Sequence, residues 1–522
     1  MILFRLRIST NIIEELSDNK DGSIVKTKIP FNHIQKLNTS RESDEIKMNK
    51  KCQIFTPKDY VEELLNSVGY TQNLYGKKIL ENSCGDGNIL TSVVQRYIDD
   101  CKANGLSRTR IKNGLEKDVY GIEIDEKQYE RCLHNLNEIL TQNNIKKVKW
   151  KIYNNDYLHW NENVEFQYIV GNPPYITYSE LNKNEQLYVK NNFKTCAKGK
   201  FDYCYAFIEK SIRSLAADGK MSYLVPSSIF KTVFGYNLRI FMCSYISEIK
   251  DYTQVKIFDK ALVKSSIMIL NKQREQNVLK YRDMTLGTQI EIPIESLEDK
   301  WLFSEKSEKR QHRFGDYFKV SHVVATLLNK AYILPDGTYR EVENGFICGN
   351  HTIEREIVKS TDTPRTLRYN KHEKIIFPYT YNNGRIVHFA DGEFERLYPG
   401  AAAYLNGFRE DLDKRQSDNS AKWYEYGRSQ ALNDINNSKL LISTVATNDI
   451  DVYELDQECI PYAGMYIVEK GDTNKYTLKD AIKILRSDEF KEYVFKVGIP
   501  ISGRSVRITS KDVENFMFDE VI

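Results

Sequence analysis

The sequence contains no apolar run that approaches the roughly 20 residues needed to cross a bilayer. Its short apolar beginning lacks the basic leader, long apolar stretch and small-residue cleavage site of a secretory signal. The nine cysteines are scattered between Cys52 and Cys459 without a CxxC pair, which argues against a disulfide framework and against a zinc site. We therefore expect a chain that needs neither membrane nor metal and that works in a reducing cytoplasm.

The sequence also lacks a dominant charge. Lys and Arg number 75 and Asp and Glu 72, so the formal net charge is only +3. This balance excludes a polycation that binds nucleic acid through bulk charge, but it allows an enzyme with a locally basic cleft. Tryptophan is scarce, at 4 residues, whereas Tyr (34) and Phe (23) are abundant. Such rings either fill cores or stack on exposed bases, and composition alone does not choose between these uses.

The length of 522 residues predicts two or three domains. We divide the chain into a polar extension at 1–47, a domain at 48–275, a charged linker or insertion at 276–311, and a mixed α+β domain at 312–522. In the second of these regions, strand-like runs alternate with amphipathic helical stretches, which predicts an α/β fold with a mostly parallel sheet. The last two strand-like runs, QVKIFDKA and SSIMILNK, have no helix between them and predict an antiparallel hairpin at the sheet edge.

A glycine-bearing loop follows the first predicted strand in the segment ILENSCGDGNIL, residues 79–90. Gly85 and Gly87 allow the backbone to approach a ligand closely, because neither carries a Cβ. The next strand, YGIEID, ends at Glu123 and Asp125, where a carboxylate commonly accepts ribose hydroxyls. The loop and the acid together predict a nucleoside cofactor. The intervening CKANGLSRTRIKNGLEKD makes their separation unusually long, and we interpret it as an insertion.

The segment IVGNPPY, residues 169–175, suggests the chemistry. Two consecutive prolines, Pro173 and Pro174, hold the backbone extended and offer no N–H groups. The side-chain carbonyl of Asn172 and the backbone carbonyl of Pro173 can accept both hydrogens of an exocyclic amine, which stabilises positive charge developing on its nitrogen. Tyr175 supplies a face for stacking a planar heterocycle.

The ordered segments FTPKDYV, ILENSCGDGNIL, YGIEID, NNDYLHW, IVGNPPY and FDYCYAFIEK resemble the γ-class, TaqI-like adenine-specific DNA methyltransferases of type II restriction-modification systems. The resemblance covers about residues 52–272. It continues more loosely into the C-terminal region, which is similar to a target-recognition domain. It implies a Rossmann-like domain that binds S-adenosylmethionine, with a mostly parallel seven-stranded sheet and a terminal antiparallel hairpin. The implied reaction is methyl transfer to the N6 amine of an adenine flipped out of double-stranded DNA.

The resemblance also assigns roles to particular residues. It implies that Asn172, Pro173, Pro174 and Tyr175 are catalytic, and that Tyr175 and Phe258 contact the flipped base from opposite sides. The residues that it implies for S-adenosylmethionine are Thr56, Pro57, Glu81, Cys84, Gly85, Gly87, Glu123, Asp156, Tyr157 and Phe207. The chain departs from the family pattern at Asn82, where Pro is common, and at Ile89, where Phe is usual. We expect these departures to change loop packing and to leave cofactor binding intact.

Several alternatives share the NPPY tetrapeptide or the domain layout. N5-glutamine protein methyltransferases and RNA methyltransferases use similar sites, but the large region after the catalytic domain favours DNA. A fused restriction enzyme is disfavoured, because Pro335-Asp336 is not followed by a complete nuclease motif. A non-catalytic DNA-binding module is disfavoured by the intact tetrapeptide. We expect a monomer on DNA with a possible separate cognate endonuclease, and Arg428, Arg504 and Arg507 as candidates for DNA recognition.

Overall fold

The computed structural model describes residues 56–253, 255, 264–274, 276–303, 310–471, 475–501 and 504–520, together with the backbone of three N-terminal strands. The chain divides into two compact units, Met1–Asp299 and Lys300–Ile522. None of the helices in the described ranges is long and apolar enough to cross a membrane.

The three N-terminal strands form an antiparallel sheet within the region predicted as a polar extension. They are β1 (Arg7–Ser9), β2 (Ile12–Asp18) and β3 (Ile24–Pro30), in the order β1-β2-β3.

The first unit is built on a nine-stranded sheet in the order β12-β11-β9-β10-β8-β7-β4-β5-β6. Its strands are β4 (Ile79–Glu81), β5 (Val119–Glu123), β6 (Lys151–Asn154), β7 (Phe166–Gly171), β8 (Leu215–Pro226), β9 (Ile246–Asp251), β10 (Ser265–Asn271), β11 (Val278–Asp283) and β12 (Thr288–Pro293). Strands β6, β5, β4, β7 and β8 are parallel, and β10 is antiparallel to both β8 and β9. The expected α/β fold is therefore present, with two more strands than predicted.

Helices connect the parallel strands and cover the sheet with apolar side chains. They are α1 (Lys58–Ser67), α2 (Asn88–Ala103), α3 (Arg108–Asp118), α4 (Glu126–Gln142), α5 (Lys183–Asn192), α6 (Cys204–Arg213) and α7 (Tyr236–Met242). The apolar face of α2, with Val93, Val94 and Tyr97, is completely buried in the main core of the unit. Asp125 begins α4 by accepting a hydrogen bond from the backbone N–H of Gln128 at 2.9 Å, as an N-cap does.

Two predictions for this unit require correction. The stretch interpreted as an insertion contains α3, which packs through the i, i+4 pair Ile111 and Leu115. Most other residues of this helix are polar, so the sequence shows little of its apolar face. The supposed linker contains β11 and β12, which pair antiparallel at the end of the sheet. Most residues of β11 and β12 are half-buried or exposed. The composition of this stretch therefore resembles that of a polar linker.

The strand predicted at SSIMILNK is present as β10, in antiparallel pairing. β10 pairs with β9, which lies upstream of QVKIFDKA, while most of QVKIFDKA lies outside the described residues. β9 itself is bordered by β10 on one side and by β11 on the other.

The second unit is made of six small sheets among the described residues. Its strands are β13 (His312–Arg313), β14 (Phe318–His322), β15 (Ile333–Leu334), β16 (Arg340–Val342), β17 (Gly345–Cys348), β18 (His351–Glu354), β19 (Val358–Thr361), β20 (Glu373–Ile376), β21 (Thr380–Asn382), β22 (Arg385–Val387), β23 (Lys439–Ile442), β24 (Val445–Ala446), β25 (Val452–Leu455), β26 (Met465–Glu469), β27 (Ile499–Pro500), β28 (Val506–Arg507) and β29 (Met517–Phe518). Its helices are α8 (Phe314–Tyr317), α9 (Asn329–Tyr332), α10 (Pro364–Arg368), α11 (Glu393–Leu397), α12 (Pro399–Asn406), α13 (Arg409–Asp413), α14 (Leu478–Leu485), α15 (Asp488–Val497) and α16 (Ser510–Glu514). The unit is mixed α+β, and its apolar residues form two separate clusters.

Candidate active site

The loops that carry the predicted site follow neighbouring parallel strands. β4 lies between β5 and β7, and the three strands run in the same direction. Their carboxyl ends therefore meet at one edge of the sheet, which is where ligands bind in open α/β folds. The glycine loop, Glu123 and the NPPY tetrapeptide are brought together by this topology.

The glycine loop turns sharply between β4 and α2. Gly85 and Gly87 have φ values of +54° and +87°, in the left-handed region that favours glycine. A Cβ on Gly87 would lie 2.8 Å from the Sγ of Cys132, whereas a Cβ on Gly85 would meet no atom within 4 Å. Gly87 is thus required for packing as well as for backbone conformation, while Gly85 leaves open space above the loop.

Two side chains predicted for this loop are buried within it. Burial raises the pKa of Glu81 well above its ordinary value, and its Oε2 has no hydrogen-bond partner among the described residues. The neighbouring Cys132 thiol and burial raise the pKa of Cys84 well above its ordinary value. Cys84 is therefore a neutral thiol, which does not suit a nucleophile.

Glu123 is held at the end of β5 by two backbone donors. Its Oε2 accepts from Gly85 N at 2.7 Å, and its Oε1 accepts from Asp125 N at 2.9 Å. Burial raises the pKa of Glu123, and these two hydrogen bonds oppose that shift. Each carboxylate oxygen keeps a second lone pair, so Glu123 can accept further hydrogen bonds from a ligand.

The NPPY tetrapeptide begins directly after β7. The Tyr175 hydroxyl lies 2.5 Å from Asn172 Oδ1 and 2.7 Å from the Leu224 carbonyl oxygen, and its single hydrogen is available to these two acceptors. The Ser83 hydroxyl donates to the Asn172 backbone carbonyl at 3.2 Å, which links the tetrapeptide to the glycine loop. Pro173 is buried, while Pro174 and Tyr175 are half-buried.

Thr56 and Pro57 lie beside these loops, at the start of α1. The Thr56 hydroxyl accepts from Asn172 Nδ2 at 3.4 Å, and its backbone carbonyl accepts from Asn88 Nδ2. The Pro57 carbonyl accepts from the N–H groups of Tyr60 and Val61 and so begins α1. Thr56 therefore joins the tetrapeptide to the helix that follows the glycine loop, while Pro57 is exposed.

Asp156 follows β6, and both of its carboxylate oxygens have partners within the protein. Oδ1 accepts from Leu158 N at 2.8 Å, and Oδ2 lies 2.8 Å from His159 Nδ1. Asp156, His159 and Glu185 place ligand atoms within 4.8 Å of one another.

Tyr157 and Phe207 pack against each other, with ring centroids 5.3 Å apart, and both are buried. The Tyr203 ring lies 5.5 Å from Phe207 on the α6 side. The rings thus form part of the packing between α6 and the loop after β6. Their predicted contact with a cofactor adenine stays a prediction.

Sequence reasoning missed a buried hydrogen-bond network beneath the site. Asn82 is 2% exposed, and its Nδ2 donates to Ser211 Oγ at 2.9 Å and to the Tyr223 hydroxyl. Ser211 Oγ in turn lies 2.8 Å from the Tyr223 hydroxyl and 3.0 Å from the Tyr157 hydroxyl. Asn82 thus connects the glycine loop to α6 and β8. The only sign of this network in the sequence is Asn82 itself, a polar residue at a position where Pro is common.

The remaining predicted residues lie outside the described part of the first unit. Phe258 lies outside the described residues. In the second unit, the Arg428 guanidinium donates to the Gln416 carbonyl and lies 3.2 Å from Asp418 Oδ1. Arg504 and Arg507 are exposed. Arg428 is therefore engaged within its own unit, and the other two arginines present their side chains to solvent.

The fold and the site together define a Rossmann-like α/β domain with an NPPY loop directly after β7. Residues 70–258 match the model of the Eco57I restriction-modification methylase family. The resemblance to methyltransferases of restriction-modification systems, expected from the sequence motifs, is confirmed.

Several characterised proteins are similar to the chain. The type II restriction enzyme and methyltransferase RM.Eco57I of Escherichia coli is 26% identical over 397 residues, covering 66% of this chain and 39% of that protein. The modification methylase CviBIII of Paramecium bursaria Chlorella virus NC1A is 30% identical over 189 residues, covering 36% of this chain and 41% of that protein. The chain thus spans about two fifths of the length of these relatives.

A solved structure is similar over most of the chain. The type IIL restriction-modification enzyme MmeI in complex with DNA has a TM-score of 0.57 at 15% sequence identity. The similarity covers 93% of this chain and 67% of MmeI. At this identity the comparison establishes the fold.

Proposed function

We propose that this chain is a site-specific DNA methyltransferase that methylates the N6 amine of adenine, using S-adenosylmethionine. The main support for the proposal is the pair of hydrogen bonds that position Asn172. Its backbone carbonyl accepts from Ser83 of the glycine loop, and its side-chain Oδ1 accepts from Tyr175. The restriction-modification enzymes to which the chain is similar support DNA as the substrate over protein or RNA.

The residues at the sheet edge fit S-adenosylmethionine. Glu123 keeps acceptor capacity on both oxygens, which suits two ribose hydroxyls. The open space above Gly85 permits close approach of a ligand, and the unpartnered Oε2 of Glu81 is an acceptor within the same loop. When bound, the cofactor supplies a methyl group on a sulfonium, ready for attack by an amine.

The chain's own residues orient that amine. Asn172 Oδ1 accepts from Tyr175 and has a further lone pair for one amine hydrogen, while the Pro173 carbonyl serves the other. Accepting both hydrogens aims the nitrogen lone pair outward and stabilises the positive charge that grows on it. Because these acceptors are fixed before the substrate arrives, little reorganisation is needed during the reaction.

Tyr175 has two tasks in this scheme. Its hydroxyl holds Asn172 in place and is anchored near the Leu224 carbonyl, and its ring face supports a flipped base. A base must leave the duplex to reach the tetrapeptide, because Asn172 lies at the edge of a folded sheet and cannot enter a base stack. The expected partner is double-stranded DNA, and a separate cognate endonuclease is a second candidate partner.

The proposal is tested by incubating the purified chain with plasmid DNA and isotopically labelled S-adenosylmethionine, followed by nucleoside mass spectrometry. We expect label in N6-methyldeoxyadenosine. Label in a methylated cytosine would refute adenine specificity while leaving DNA methylation in place. A complete absence of label from the DNA would refute the proposal as a whole.

A further inference from the structure

The segment from Lys231 to Ile240, which we call the apolar segment, exposes an unusual number of large apolar side chains. Val233 is 62% exposed, Ile240 57%, and Phe234 and Tyr236 45% each. An exposed cluster of this kind on a soluble chain commonly marks a contact surface.

The apolar segment has a defined shape. Arg239 is 2% exposed, and its guanidinium donates to the backbone carbonyls of Ile229 at 2.8 Å, Thr232 at 2.9 Å and Asp299 at 2.7 Å. A Cβ on Gly235 would lie 2.6 Å from Arg239 Nη1, so the turn closes tightly over the buried guanidinium. The backbone that carries the exposed side chains is therefore fixed before any partner binds. This reduces the conformational entropy that the segment loses on binding.

This surface is continuous with the catalytic loop. β8 ends at Pro226, two residues after Leu224, whose carbonyl accepts from Tyr175, and the apolar segment follows shortly after. On the other side, the Phe234 ring packs on Gly199, where an added Cβ would lie 2.3 Å from a ring carbon. The chain beyond Gly199 returns to the catalytic loop, where Tyr203 N donates to the Ile176 carbonyl at 2.9 Å.

Exposed lysines lie beside the apolar segment. Lys198 and Lys200 flank Gly199 and are exposed, and Lys231 begins the segment. Residues 186–201 and 227–247 contain no Asp or Glu, although the chain as a whole is nearly neutral. One exposed acidic residue, Asp299, reaches the segment through its backbone carbonyl at Arg239. The exposed lysines on either side of Gly199 are complementary to a polyanion.

We propose that the apolar segment and the turn at 198–200 form a DNA-contacting surface of the catalytic unit. Lys198 and Lys200 bind backbone phosphates, and Val233 and Tyr236 make apolar contacts with the bases around the opened step. Apolar side chains that contact unstacked bases stabilise duplexes deformed in this way. The inference rests on the proposed function, because it requires a DNA substrate with a flipped base.

A second copy of the chain is a less suitable occupant. A symmetric contact through this surface would bring Lys198 and Lys200 of two copies close together, and like charges oppose such contact. The phosphates of DNA neutralise the same charges favourably. We therefore assign DNA to this surface and make self-association an outcome of the test.

The lysines are tested by the double variant Lys198→Gln/Lys200→Gln. We expect weaker binding to all duplex sequences and a salt dependence, measured as log Kobs against log salt concentration, that is shallower by roughly 1.8 for two lost phosphate contacts. The matched control is Lys117→Gln/Lys220→Gln, which removes two exposed lysines at the other end of the strands and should leave the slope unchanged. An unchanged slope in the first variant would overturn the phosphate contacts.

The apolar contacts are tested by Val233→Ser/Tyr236→Ser, with Phe234 retained because it covers Gly199. We expect kcat/KM on a paired duplex to fall about tenfold, as loss of one base contact implies. Activity should recover to within about threefold on a duplex whose target adenine lies opposite an abasic site, because that adenine is already poorly held. The control is Leu286→Ser, which alters an apolar residue that is 73% exposed in the turn after β11. It should leave kcat/KM unchanged on both duplexes.

The outcomes separate this inference from the proposed function. If the unmodified chain methylates DNA and the Val233→Ser/Tyr236→Ser variant matches it on both duplexes, the apolar contacts are refuted while the function stands. If the variant instead changes only the oligomeric state in analytical ultracentrifugation, the surface binds a second copy and the inference is wrong. If the unmodified chain methylates no DNA, the proposed function itself fails.

Discussion

The two units of this chain organise polar residues in opposite ways. In the first unit a single sheet of nine strands brings the ends of β4, β5 and β7 to one edge. Residues far apart in sequence, such as Ser83 and Asn172, are thereby joined at 3.2 Å. The second unit has six small sheets and two apolar clusters within its described residues. In the described part of this unit, Arg428, Arg504 and Arg507 do not lie at the edge of one shared sheet. The role of each arginine therefore has to be argued from its own contacts.

Under the proposed function, catalytic geometry in the first unit follows from sheet topology, whereas DNA recognition by the second unit would depend on individual surface side chains. Changes in the first unit should therefore have large and local chemical effects. Changes in the second unit should be graded, because one arginine among several contacts contributes only part of the affinity. The following predictions test this contrast in order of decreasing effect.

The largest effect is expected for Asn172→Ala in the first unit. The change removes the acceptor that Tyr175 and Thr56 hold in place. Loss of one fixed catalytic acceptor should lower kcat by about 10²–10³-fold or more. Radiolabelled methyl transfer measures the rate, and calorimetry should show cofactor affinity within about threefold of the parent.

An equal loss of cofactor affinity and of kcat in the Asn172→Ala variant would contradict the assigned role. It would mean that the side chain supports the cofactor loop and not the amine. Asn172→Asp is a useful companion, because it keeps the shape and an acceptor but adds a charge.

The next effect in size is on stability, where we expect Gly87→Ala to be more destabilising than Gly85→Ala. Both substitutions place a Cβ in the left-handed region, which costs about 1–2 kcal/mol. Only Gly87→Ala adds a close contact, at 2.8 Å from Cys132 Sγ. We expect it to lower the free energy of unfolding by roughly 1–3 kcal/mol more than Gly85→Ala.

Urea denaturation at fixed pH measures the difference. The second change Cys132→Ala should recover part of the loss in the Gly87→Ala background, since it removes the contacting sulfur. Equal destabilisation by Gly85→Ala and Gly87→Ala would show that the loop relaxes and that Cys132 does not constrain it.

The smallest effects are expected in the second unit, from Arg428→Ala and Arg507→Ala. Arg428 donates to the Gln416 carbonyl and faces Asp418, so its loss should cost about 0.5–1.5 kcal/mol of stability. Exposed Arg507 should leave stability within about 0.5 kcal/mol. If Arg507 binds a phosphate, its loss should reduce the salt slope of DNA binding by about 0.9.

Thermal unfolding and DNA titrations at several salt concentrations separate the two arginines. A salt slope reduced by Arg428→Ala and not by Arg507→Ala would reverse the assignment. It would show that the Asp418 contact breaks when DNA binds.

The sequence alone predicted the parallel strands of the first unit, because their apolar runs are short, buried and punctuated by glycine or proline. It also predicted that the glycine loop and Glu123 act together, and the order of β5, β4 and β7 places both of them and Asn172 at one edge. It did not reveal α3, whose two buried residues Ile111 and Leu115 are surrounded by charge. Nor did it reveal β11 and β12, whose half-exposed strands resemble a linker in composition.

The sequence could not identify the network of Asn82, Ser211 and Tyr223. Each of these residues is unremarkable in its own segment, and only the packing of α6 and β8 under the loop brings them together. The same limit applies to Arg239. A lone arginine in a sequence suggests solvent or DNA, yet here it is buried and binds three backbone carbonyls.

The most direct test of the central claim is the methylation pattern that the chain leaves on DNA in a host without its own methyltransferases. Single-molecule sequencing of that DNA should reveal N6-methyladenine at one recurring sequence motif. The same host expressing the Asn172→Ala variant should show none. Unmodified adenines in DNA from cells that contain the folded, unmodified chain would contradict the account.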